Sequence, residues 1–132
     1  MKLTATSVAW AFAASFYAAA ASGFIPNPLL GPHGLFQTNT AHNLVHLLTG
    51  VGFTVVALAG PKASVVFMQA FGVIYLLTGA FGFLATGLGG ESHLLGLVHI
   101  NALDNFLHLG LGAVIGAAGW YFQARSHQLA ER

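Results

Sequence analysis

The chain has 132 residues, of which four are Lys or Arg, three are Asp or Glu and none is Cys. Its apolar share is 56% and its charged share 5%, against ~45–50% and ~25% in soluble domains. That composition excludes an ordinary soluble globule, a disordered tail and a nucleic-acid binder, which needs clustered Lys and Arg against phosphate. Without cysteine there is no disulfide framework, thiolate metal site or Cys nucleophile. What remains is a small polytopic protein of the lipid bilayer.

Four stretches come near the ~20 apolar residues that a helix needs to cross a hydrocarbon core: residues 4–24, 38–60, 63–88 and 101–122. They predict an all-α, up-down bundle of four transmembrane helices in a single domain. The first stretch has a rival reading. Met1-Lys2, an apolar run and Ala18-Ala19-Ala20-Ala21-Ser22-Gly23 also have the shape of a secretory signal peptide. After it, Ile25-Pro26-Asn27-Pro28 and Gly31-Pro32-His33-Gly34 are turn and breaker signals. The Lys62 turn is short, so spans two and three are expected as a tight antiparallel hairpin. Gly72, Gly79 and Gly82 in span three, and Gly112, Gly116 and Gly119 in span four, allow close helix approach. Between those spans, Gly89-Gly90-Glu91-Ser92-His93 predicts a turn, followed by an apolar stretch to Val98 in the interface. Glu91, His93 and His99 are read as solvated loop residues, with a weak metal-loading site at the bundle mouth as the alternative.

Lys2, Lys62, Arg125 and Arg132 all fall on one side of a four-span chain, and the opposite loops carry no Lys or Arg. The positive-inside rule then puts both termini in the cytoplasm, with Trp10 and Trp120 near that interface.

A shift of 62 positions lays span two over span four. Asn39 meets Asn101, Asn43 meets Asn105, His46 meets His108, and Gly50 meets Gly112, giving N-x3-N-x2-H-L-x2-G twice. The bundle is therefore expected as two pseudo-repeated helical hairpins related by an axis along the membrane normal. At 100° per residue, each motif occupies an arc of ~100° on one helix face. The first face carries Asn39, His42, Asn43 and His46, and the second carries Asn101, Asp104, Asn105 and His108. Ionisable groups at membrane depth face a bundle interior, so the two faces are expected to meet across the core.

Gly23-Phe24-Ile25-Pro26, Gly34-Leu35-Phe36, the run from Asn39 to Gly50, and Asp104-Asn105-x2-His108-Leu109 together resemble a family of small four-span bacterial membrane proteins. That family is catalogued only as a domain of unknown function. The resemblance covers most of the chain and implies a bacterial inner-membrane protein. It implies no activity, cofactor or catalytic residue.

The leading expectation is a non-catalytic membrane protein, free-standing, homo-oligomeric or an accessory subunit of a larger membrane complex. Its Asn, His and Asp side chains fix helix register, with Asn39 and Asn101 as N-caps. One alternative is a transition-metal site. His42 and His46 at i, i+4 face Asp104 and His108 at the same spacing, a donor set for zinc, copper or iron. In that case Asn43 and Asn105 would orient the imidazoles. Another is a tetrapyrrole: paired His46 and His108 suit haem b, a single His suits the magnesium of a (bacterio)chlorophyll, and Gly50 and Gly112 leave room for a macrocycle. No nucleophile elbow, P-loop or dinucleotide fingerprint is present, and the chain is read as no enzyme. A transporter working by alternating access would have to oligomerise. A reporter fused after Arg132 is expected to be active in the cytoplasm, and periplasmic activity would refute the orientation.

Overall fold

The computed structural model describes residues 3–130. Four helices account for most of them: α1 (Ala5–Gly23), α2 (Thr40–Ala59), α3 (Pro61–Thr86) and α4 (Ala102–Ala130). α1 begins on a capping box in which the Thr4 hydroxyl accepts from the Ser7 N–H and the Ser7 hydroxyl from the Thr4 N–H. α2 and α3 are separated by one residue. Gly60, at φ +108°, closes α2 and opens α3 in a backbone region that residues with a Cβ avoid. Pro61 follows at the first helical position, where its missing N–H is harmless. The Ser64 hydroxyl closes this turn by donating to the carbonyls of Val56 and Gly60.

Among the described residues, three helical segments are long and apolar enough to cross a membrane: Thr40–Ala59, Pro61–Thr86 and Ala102–Gln128. α1 is not among them, although a span was expected there. Nine of its 19 residues are Ala, and Thr and Ser dilute it further. The bundle presents Leu48, Val55, Leu58, Val66, Phe81 and Leu84 outward, each more than half exposed, as a lipid-facing surface requires.

α1 packs chiefly on α2 and α3 on α4, and the two pairs touch each other less extensively. The α1–α2 seam is built on Ala5, Ala9, Ala13, Phe16 and Ala20, spaced by three and four residues, with Phe53 and Ala57 of α2 buried in the same core. In the α3–α4 seam, backbone meets backbone. A Cβ on Gly72 would stand 2.5 Å from the Gly116 Cα and N. Phe16, Phe53, Phe67, Phe71 and Tyr75 form a chain of aromatic contacts, 4.8 to 5.7 Å from ring to ring, through the centre.

Two departures from an all-α reading sit in the loops. β1 (Leu30–Gly31) runs parallel to β2 (Phe36–Gln37). β3 (Glu91–Leu94) and β4 (Val98–Asn101) form an antiparallel hairpin, where a turn and an interfacial apolar stretch were expected. The hairpin turns through Leu95 (φ +54°) and Gly96 (φ +72°), and Leu95 is 90% exposed at its tip. α3 stops at Thr86 rather than residue 88, and α4 continues past residue 122 to Ala130.

Gly72→Ala is expected to push α3 from α4 and cost about 1–3 kcal/mol, the usual penalty of overpacking. Gly110→Ala, where a Cβ meets nothing within 4 Å, should be neutral or slightly stabilising. Detergent-solubilised unfolding followed by circular dichroism compares them, and equal stabilities would refute the close approach.

Candidate metal centre

Both motif helices start on an asparagine that does two jobs. The Asn39 carboxamide oxygen accepts from the His42 N–H at 3.0 Å, and its Nδ2 donates to the Leu97 carbonyl at 2.8 Å. The Asn101 oxygen accepts from the Asp104 N–H at 2.9 Å, and its Nδ2 donates to the Leu35 carbonyl at 2.9 Å. Leu35 and Leu97 are themselves 62 residues apart, like the two asparagines. Each half of the repeat therefore caps its own helix and holds the loop of the other half. Asn27 braces the first loop, accepting from the Leu29 and Leu30 N–H groups and donating to three carbonyls.

The caps set where the next turn points. His42, His46 and His108 converge so that one ligand nitrogen from each lies within 4.8 Å of the others. All three are buried, at 1%, 8% and 6% exposure. The His42 and His46 rings are 4.6 Å apart, and the His42 and His108 rings 5.9 Å. Phe16 lies 5.9 Å from His46 and Tyr75 lies 4.7 Å from His108, so aromatic rings wall the cluster.

Backbone carbonyls choose the tautomers. Nδ1 of His42 lies 2.8 Å from the His99 carbonyl oxygen, and Nδ1 of His108 lies 2.8 Å from that of Asp104. A carbonyl only accepts, so each Nδ1 carries the proton and each Nε2 presents a lone pair. That is the arrangement of a metal-ready imidazole. Asp104 stands outside the tight group of three but close to it. Its Oδ2 is 3.9 Å from His42 Nε2 and 3.5 Å from His108 Nδ1. Asp104 Oδ2 and His46 Nδ1 are buried and have no hydrogen-bond partner among the described residues. Ligands ~2.0–2.1 Å from a tetrahedral ion stand ~3.4 Å from one another, a spacing that the three imidazole nitrogens, all within 4.8 Å, approach.

Asn43 and Asn105 do not orient the histidines as the sequence suggested. The Asn105 Nδ2 donates to Thr86 Oγ1 at 2.9 Å. Asn43 fills the space over Gly23, and Asn105 that over Gly82, where a Cβ would meet each carboxamide at 2.0 Å. Gly50 and Gly112 leave no room for a macrocycle either. A Cβ on Gly50 would meet the Tyr17 ring at 2.7 Å, and one on Gly112 the Leu76 N at 2.7 Å. Tyr75 and Thr86 were missed. Extending the Gly72, Gly79, Gly82 stripe of α3 by the same spacing reaches both.

His93 and His99 stack across the hairpin at 4.7 Å, and His99 Nε2 lies 3.7 Å from Glu91. These residues remain apart from the buried set but adjoin it, because the His99 carbonyl holds His42.

Asn39→Ala and Asn101→Ala are each expected to cost about 1 kcal/mol for the lost cap. Each should also loosen the loop it ties, around Leu97 and Leu35 respectively. Amide hydrogen exchange in detergent reads this, and unchanged protection of the tied loop would refute the reciprocal clamp.

Neither a search of curated proteins nor one of solved structures finds a match to this chain. The repeated Asn/His motifs and the glycines beneath the two buried asparagines lie within residues 7–121, which the model of a family described as Domain of unknown function (DUF4383) matches, and the chain belongs to that family.

Proposed function

We propose that this chain is a non-catalytic, multi-pass protein of the bacterial inner membrane that holds one first-row transition-metal ion between its two halves. His42, His46 and His108 are the ligands, and Asp104 is the neutralising carboxylate and fourth donor. The observation that carries the reading is the convergence of three buried imidazoles from two helices within 4.8 Å. Burying such groups at membrane depth is costly, and they are normally placed there for a role. The donors are nitrogen and oxygen only, which suits zinc, divalent copper or ferrous iron rather than a thiolate-seeking ion. The enclosure of all three histidines leaves no face for a substrate, and this supports binding rather than catalysis. A tetrapyrrole is disfavoured because Tyr17 and Leu76 cover Gly50 and Gly112.

α1 serves as the fourth membrane helix in this reading. Its 19 residues reach ~28 Å, and it pairs along α2. Lys62 and Arg125 at the turn end support cytoplasmic termini. The exposed apolar faces serve lipid, a second copy or a neighbouring subunit of a larger membrane complex.

The test is metal analysis with an absorption spectrum on detergent-purified protein, as isolated and after incubation with zinc, copper(II) or iron(II). One equivalent per chain is expected. His46→Ala and His108→Ala should each abolish it, and Asp104→Asn should weaken it about 10–100-fold. A wild type that stays metal-free after loading would overturn the reading and leave the histidines as interhelical glue. A Soret or chlorin band would replace the ion with a tetrapyrrole.

A further inference from the structure

The end of the bundle opposite the histidines carries a second feature, independent of them. The start of α1, the α2–α3 turn and the last turns of α4 surround an open cleft of about 700 Å³. Its walls are apolar, with Val65, Val66 and Phe122 among them, and its polar rim includes Lys62, Arg125 and His127. Lys62 and Arg125 are the Lys and Arg side chains of residues 3–130, and they come from different helices to one cleft. Among residues 3–130, no Asp or Glu lines it. The acidic residues of the same range, Glu91 and Asp104, lie at the histidine end. Arg125 is 21 residues along α4 from Asp104, or ~32 Å of helix.

We propose that this cleft binds one anionic phospholipid. Lys62 and Arg125 grip the phosphate, Arg125 with the planar fork that suits phosphate oxygens. An acyl chain lies along Val65, Val66 and Phe122, on a wall continuous with the lipid-facing surface of the helices. Charge and shape together select this occupant. A soluble anion has no use for the apolar wall, and a neutral lipid offers the two cations no net negative charge to neutralise. Basic clefts between membrane helices recognise anionic headgroups in this way.

The test uses the full-length protein in detergent, titrated with dioleoyl phosphatidylglycerol or dioleoyl phosphatidylcholine, with retained lipid counted by native mass spectrometry. The wild type is expected to retain one phosphatidylglycerol per chain, at least tenfold over phosphatidylcholine. Lys62→Gln/Arg125→Gln should erase the preference. Val66→Trp keeps both charges and fills the wall, and should lower phosphatidylglycerol retention at least fivefold. All three positions are exposed, so the variants should fold, and circular dichroism checks this. Equal retention of the two lipids by the wild type overturns the proposal. So does a preference that survives the double substitution. Retention indifferent to Val66→Trp would mean diffuse charge attraction without a site. Displacement of the lipid by inorganic phosphate alone would mean a phosphate site in its place.

Discussion

Two asparagines, each gripping the other half of the molecule, organise the histidine end of this bundle. A helix start leaves N–H groups without intrahelical partners. Asn39 and Asn101 answer that need with their oxygens and then spend their Nδ2 groups on Leu97 and Leu35, each in the loop of the other half. Because each cap is also a tether, the depth of one motif helix is set by the loop of its counterpart. His42 and Asp104, the equivalent residues of the two repeats, meet as a consequence, as do the turns bearing His46 and His108.

Beneath that polar layer the cohesion is of another kind. Lipid tails are as apolar as the side chains, so the hydrophobic effect does little to draw helices together in the bilayer. Close packing takes its place. Gly72 against Gly116, the alanine face of α1, and the ring contacts from Phe16 through Phe71 to Tyr75 raise contact density, and Tyr17–Thr54 and Gln69–Gln123 hydrogen bonds cross the same seams. Tyr75 stands at the boundary, with its ring in the aromatic chain and against His108.

Much of this was legible in the sequence, and the reasons are specific. The second, third and fourth helices announce themselves by sustained apolar length. The Asn/His motifs show their repeat because helical geometry demands the same residues at the same offsets, and Asn before a helix is a strong cap signal. The resemblance to a family of unknown function holds. What sequence periodicity does not carry is the long-range partner. Asn105 faces Thr86 rather than a histidine because the glycine at position 82 admits the carboxamide there. The spaces over Gly50 and Gly112 belong to Tyr17 and Leu76, from helices with no motif to betray them. The β3–β4 hairpin escaped because Leu95 occupies a positive-φ turn position where Gly, Asn or Asp is the usual marker. α1 reads as apolar residue by residue, yet its alanines leave it short of the hydropathy of the other three.

The buried cluster draws on both halves, with His42 and His46 from one helical pair and His108, with Asp104 beside it, from the other. The seam between those pairs is the weaker one in the fold. Whatever is gripped from both sides of such a seam acts as a rivet whose strength is set by mass action. At a hundredfold excess over its dissociation constant, a ligand adds about 2.7 kcal/mol to the state that binds it. For the ion proposed above, that increment would fall on the docking of one half against the other, and the integrity of the whole bundle would become a readout of its free concentration.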